Sequence, residues 1–236
     1  MAERPRRLYR AAGTVEAEGG GFLVVLDDKP VRTPAKAPLA VPSRALGEAI
    51  AAEWEAQSER IDPDSMPLTR IASIAIDLVA PRRASVIGEI AKYAGTDLVC
   101  YRAERPQALV ERQHAAWQPL VDWTRERYGA ELAVTAGIVP REQPEAALGA
   151  LADAIAAHDS MRLAALHLAC AACGSVVLAL ALVEGRIDAA AAFAAAELDQ
   201  TFEIEQWGED AEQTRRRALL SAEIAAAARF LELLGA

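Results

Sequence analysis

The stretch "LAALHLACAACGSVVLALALV", residues 163–183, runs for twenty-one positions without a formal charge. A helix of that length and polarity has two homes: a bilayer, or the centre of a domain that covers it on every side. Seven of the residues are Ala, and His167, Gly174 and Ser175 weaken transfer into hydrocarbon further. No second segment resembles it and no aromatic belt flanks it. We therefore expect a buried helix over about 161–184, with a helical domain built around it.

The rest of the chain supplies that covering. Beyond residue 65, apolar periodicity predicts helices near 68–80, 83–94, 106–128, 144–158, 188–206 and 210–234. Two short strand-like interruptions, "TDLVCYR" and "ELAVTAGIVP", fall among them. The last helix carries a stripe of Leu220, Ile224, Ala227, Leu231 and Leu234 that needs a core to cover it. The first forty-odd residues read differently. Two β-rich runs flank Gly19–Gly21, a hairpin signal, and a second turn follows at Asp27-Asp28. Ser43 then caps a helix whose inner face holds Leu46, Ile50, Glu53 and Gln57, with Trp54 at its border. The breaker-rich "DPDSMP" reads as a linker. The expected architecture is α+β: a small β-rich N-terminal domain, residues 1–64, followed by a larger all-helical domain, residues 65–236.

Several kinds of chemistry find no support. A net charge of −9 argues against nucleic acid as a partner. Cys170 and Cys173 have redox-motif spacing, but both fall inside the apolar run, where burial raises a thiol pKa instead of lowering it. The three cysteines form no disulfide framework and fit a reducing compartment. His167, His114 and His158 lack companions at metal-ligand spacing. No phosphate loop, dinucleotide fingerprint or serine elbow is present. No catalytic residue, cofactor or metal is expected.

What stands out is "LDQTFEIEQWGEDAE", residues 198–212, with six acidic side chains in fifteen positions. Residues 185–236 hold ten acids against five arginines, a net of −5, so an electrostatic partner of this region is basic. On a single helix over 188–206, Asp199, Glu203, Gln206 and Asp210 form a polar face, while Phe193, Ile204 and Trp207 form an apolar one. Glu205 falls instead on the stripe of Leu198 and Phe202, where an unpaired carboxylate is costly. It either meets an arginine of its own chain or borders a patch that awaits a partner. An alternative is an enzyme that pairs Glu205 with Glu53 or Asp97.

The combination of "LDDKPVRTPAKAPLAVP", "AIAAEWEAQSERIDPDSMPLTRIASIAID", "AGTDLVCYRAERP", "GSVVLALAL" and "FEIEQWGEDAE", in that order over nearly the whole chain, resembles one family: the assembly chaperones of the ATP synthase F-one head, the ATP-twelve class. The positions that carry the resemblance include Arg32, Thr33, Pro34, Glu53, Trp54, Gln57, Met66 to Thr69, Thr96, Asp97, Tyr101, Glu205, Trp207, Gly208 and Asp210. Asp28, in place of a turn glycine, and Gln200, in place of an acid, depart from the pattern, as does "LACAAC". The resemblance implies a non-enzymatic chaperone that binds the unassembled α subunit and shields the surface α turns toward β. Trp207 is then the expected anchor, and Phe202, Glu203, Glu205, Glu209 and Asp210 the expected surround. We further expect a monomer without stable membrane insertion, in a bacterial cytoplasm or, in a eukaryote, the mitochondrial matrix.

Overall fold

The computed structural model describes residues 5–137 and 141–235. The first four residues of the basic start and the last three of "ELAVTAGIVP" lie outside the described residues. The chain groups into two compact units, Met1–Arg83 with Arg229–Ala236, and Ala84–Ala228.

In the first unit β1 (Ala12–Glu16) and β2 (Phe22–Leu26) form the expected antiparallel hairpin, with Ala12 opposite Leu26 and Glu16 opposite Phe22. The Asp27-Asp28 turn holds both residues at positive φ, 45° and 65°, and leads into β3 (Lys29–Pro30). Two positive φ angles in a two-residue connection match the right-handed twist of the strands they join. Asp27 also accepts from the amides of Arg10 and Ala11, which lowers its carboxyl pKa. β4 (Ala40–Val41) pairs with the start of β2, so β2 is the central strand.

Helix α1 (Arg44–Glu55) packs across β1 and β2 and buries Leu46 and Ile50. Ser43 Oγ accepts from the Leu46 amide, the cap its position predicts, and donates to the carbonyl of Leu233. The "DPDSMP" stretch lies within this unit as a short 3-10 turn, Pro63–Ser65. It leads into α2 (Pro67–Ile74), which widens into a π-helical turn over Ala75–Val79.

The second unit begins with α3 (Arg83–Ala91), whose first residue closes the first unit. It continues through β5 (Tyr101–Arg102), α4 (Gln107–Tyr128), β6 (Thr135–Ala136) and α5 (Glu145–Ala156). The two strand-like interruptions pair with each other in parallel. Then come α6 (Ser160–Cys173) and α7 (Val176–Val183). Helix α7 packs on α4, α6 and α8 (Ala189–Ala196), and Val176 to Ala181 have no accessible surface. At roughly 1.5–3 kcal/mol for each large apolar side chain removed from water, this segment is the main apolar investment of the unit.

The single helix expected over 161–184 is in fact two. Gly174 adopts φ 62°, the left-handed cap conformation, and ends α6; Ser175 caps α7 by accepting from the Leu178 amide. Among the described residues no helix is long and apolar enough to cross a membrane. Cys100, Cys170 and Cys173 are free and buried, and burial pushes the thiols of Cys100 and Cys173 up to about 12 and that of Cys170 up as well. They act as small apolar side chains.

Asp97 holds this junction together. It is fully buried, and its Oδ1 accepts from Ser175 Oγ at 2.6 Å and the Val99 amide at 3.1 Å. Its Oδ2 accepts from the Val177 amide at 3.0 Å. One carboxylate thus satisfies donors at the starts of two segments nearly eighty residues apart, donors that would otherwise be orphaned in an apolar interior. Burial pushes the Asp97 carboxyl up to about 6, against the opposing pull of those hydrogen bonds.

Candidate functional site

The acid-rich stretch forms α9 (Leu198–Trp207), the turn that follows it, and the start of α10 (Ala211–Leu234). The continuous helix expected over 188–206 is divided at Glu197, which sits at φ −103°, ψ 19° between α8 and α9. The bend accompanies a buried ion pair. Glu197, 6% exposed, takes Arg216 Nη2 at 2.6 Å and Arg217 Nη1 at 2.9 Å. Arg217 also donates to Thr201 Oγ1 at 3.1 Å and lies 3.4 Å from Glu209. A carboxylate this enclosed is tolerable because guanidinium groups compensate its lost hydration.

None of the ten residues of α9 is buried. Polar contacts hold the helix in place: Gln113 Nε2, on α4, donates to Asp199 Oδ1 at 2.7 Å, and Arg112 pairs with Glu205 at 2.7 Å. The Arg112 guanidinium also lies 5.2 Å from the centre of the Phe202 ring. Glu205 therefore meets an arginine of its own chain, in a pair whose side chains remain about half exposed (47% and 43%). Such a pair contributes on the order of 0–1 kcal/mol.

The six residues singled out in the sequence thus share one short stretch but not one task. Phe202 and Glu205 meet Arg112, Glu209 meets Arg217, and Asp210 caps α10 by accepting from the amides of Glu212 and Gln213. Glu203 receives a long 3.4 Å hydrogen bond from Gln200. Trp207 is 88% exposed and lies four positions, about one helical turn, beyond Glu203. Gly208 ends the helix at φ 84°, ψ 175°, backbone that a side chain at this position would strain, and so fixes Trp207 at the helix tip.

The other two carboxylates proposed for chemistry are both engaged structurally. Asp97 is the buried cap described above. Glu53 accepts from the amides of Leu68 and Thr69 and from Thr69 Oγ1, at 2.7, 2.8 and 2.7 Å, and so supplies α2 with the cap that Met66 lacks. Burial raises its pKa. No group of three His, Cys, Asp or Glu suited to a metal occurs among the described residues.

The first unit holds a feature that no local pattern announces: an apolar groove of about 550 Å³ between the Val31–Pro34 segment, Trp54 and the outer face of α2 and its π turn. Its signal is distributed. Thr33 Oγ1 donates to Asp77 at 2.6 Å, and Gln57 bonds to Glu53 O, Ser65 Oγ and the Asp62 amide, which fixes the walls. Several residues that carry the family resemblance, Arg32, Thr33, Pro34, Trp54, Met66 and Thr69, line it.

Comparison with known proteins gives one answer. Residues 6–125 match the family described as ATP12 chaperone protein. The chain is 23% identical over 222 residues to the mitochondrial protein atp12 of Schizosaccharomyces pombe, across 88% of this chain and 76% of that one. It is similar to the crystal structure of Atp12 from Paracoccus denitrificans, with a TM-score of 0.92, 42% identity and 98% of each chain covered. The Atu1473 protein of Agrobacterium tumefaciens gives the same TM-score and identity over 98% of this chain and 86% of that one.

Proposed function

Because the chain belongs to the ATP12 chaperone family, we propose that it assists assembly of the ATP synthase F-one head by binding the unassembled α subunit and shielding its β-facing surface. The observation that carries this reading is Trp207. A large aromatic held almost wholly in water, at the tip of a helix with no buried residue, is the kind of side chain that anchors a protein interface. Glu203 and its acidic neighbours form a rim suited to a basic counter-surface.

Binding of this kind draws on burial of apolar surface and needs no nucleotide, metal or cofactor from the chaperone. Release follows when β competes for the same surface of α. Trp207 and Glu203 contact the client directly, while Phe202, Glu205, Glu209 and Asp210 fix and flank the element that presents them. The protein acts as a monomer, in the bacterial cytoplasm or the mitochondrial matrix where the F-one head is put together. The enzymatic alternative gains nothing from its carboxylates: Asp97 is enclosed, Glu53 is spent on the start of α2, and Glu205 is paired with Arg112.

Isolated α subunit, stirred with the purified protein in the absence of ATP, should remain in solution and form a complex detectable by light scattering. No suppression of aggregation together with no complex rejects the proposal. Capture of partners with Glu205→Lys beside wild type then locates the site. The substitution opposes Arg112 and should lose one specific partner at unchanged thermal stability.

A further inference from the structure

The groove of the first unit has the build of a binding site rather than of a packing defect. Its volume of about 550 Å³ lies within the range of about 300–1,000 Å³ typical of sites that enclose a ligand or a few large side chains. Trp54, Ile61, Met66, Ile74 and Leu78 give it an apolar surface, and Ile74 remains 37% exposed. The walls are held by polar contacts: Asp77 takes Thr33 Oγ1 at 2.6 Å and the Ala35 amide at 2.8 Å, and Glu53 fixes the start of α2. The π turn over Ala75–Val79 carries Asp77 and Leu78, and such local widening of a helix recurs at functional sites.

Two further observations describe what the groove would accept. The Arg32 guanidinium, among the lining residues, makes one hydrogen bond, to the Lys36 carbonyl at 2.9 Å, and no ion pair among the described residues. Arg70 adds a second guanidinium to the lining, against one lining carboxylate, Asp77, which accepts from Thr33 Oγ1 and the Ala35 amide. In a chain of net charge −9 the groove is thus apolar with a positive edge. Moreover, the Trp54 indole N–H is covered and has no acceptor among the described residues. An occupant that supplies large apolar side chains, a carboxylate and a carbonyl oxygen would complement all three features.

We propose that this groove is a second docking site, for an apolar polypeptide segment that carries an acidic residue. Its preference is opposite in charge to that of the acidic α9 surface, so the two sites take different segments. That the occupant is polypeptide rests on the chaperone reading above; the apolar, positively edged groove does not.

The probes are a fluorescein-labelled, N-acetylated and C-amidated eight-residue peptide of Leu, Ile and Phe with one central Glu, and its counterpart with Lys in place of Glu. Binding is read by anisotropy against wild type, Ile74→Arg and Arg32→Glu, both at exposed positions. Wild type should favour the Glu peptide by about tenfold, as expected for one charge-assisted contact. Ile74→Arg should abolish binding, and Arg32→Glu should invert the preference, with melting temperatures matching wild type. Equal binding of both peptides by all three proteins overturns the proposal. So does displacement of the peptide by dodecanoate at lower concentration than by unlabelled peptide, which would make the groove a small-molecule site. Should wild type bind the Glu peptide in this way yet leave isolated α subunit to aggregate, the α-subunit assignment fails and the groove stands.

Discussion

Helices α7 and α9 belong to the same unit and have similar lengths, eight and ten residues, yet nothing else about them agrees. In α7 the residues from Val176 to Ala181 have no contact with solvent, and a buried carboxylate secures the first turn. In α9 no residue is buried, and side-chain hydrogen bonds to Gln113 and Arg217 with one half-exposed ion pair to Arg112 hold the helix in place. Stability is concentrated in the first and availability in the second. A surface that must attach to and leave a partner cannot be committed to its own core, and α9 meets that condition while α7 is given over to the core.

The comparison is most exposed to direct truncation. Leu180→Ala in α7 should cost about 2–5 kcal/mol in urea unfolding, the range for a cavity in a packed core. Ile204→Ala in α9, half-buried, should cost less than about 1 kcal/mol. Equal losses would erase the distinction. Removal of the buried cap by Asp97→Ala leaves interior donors unpaired and should cost about 2–3 kcal/mol. Glu205→Ala, in the half-exposed pair with Arg112, should stay within about 1 kcal/mol by the same measurement.

A further effect is the pH dependence of the Asp97 cap. With its carboxyl raised to about 6 in the folded chain, against about 4 when unfolded, the folded state holds a proton over that interval which the unfolded state has released. This contribution to stability is therefore complete below about pH 4 and is lost as pH rises through 6, with a slope of at most about 1.4 kcal/mol per pH unit. The stability advantage of wild type over Asp97→Ala should shrink across that window. An advantage that grows with pH would mean that the hydrogen bonds to Asp97 outweigh its burial. The smallest change in folding belongs to Trp207→Ala, which should leave unfolding free energy within about 0.5 kcal/mol while weakening the complex with α subunit at least about tenfold.

Local signals in the chain were reliable where one short segment determined the outcome. Ser43 caps α1, the Gly19–Gly21 hairpin forms, and the two strand-like interruptions find each other. The uncharged run predicted a buried centre, yet its division at Gly174-Ser175 was also legible: a glycine followed by a capping serine ahead of apolar residues is a stop and a start. The bend at Glu197 was not. It accompanies contact with Arg216 and Arg217, about twenty residues on, and helical periodicity carries no record of such partners.

The same limit governs the sites. Exposure of Trp207 at a glycine-terminated helix was within reach of pattern alone, whereas the identity of the cation that meets Glu205 was not, because Arg112 lies on another helix. The groove of the first unit was further from view. It depends on Thr33 meeting Asp77 and on Gln57 meeting Asp62 and Ser65, contacts that no single periodic segment contains.

Amide hydrogen exchange of the protein, alone and bound to isolated α subunit, tests the central claim most directly. Free, α9 should exchange far faster than α7; on complex formation protection should rise over residues 203–210 and remain unchanged in α7. Protection that appears elsewhere in the chain, with α9 exchanging as it does in the free protein, would contradict the assignment of this helix as the client-binding element.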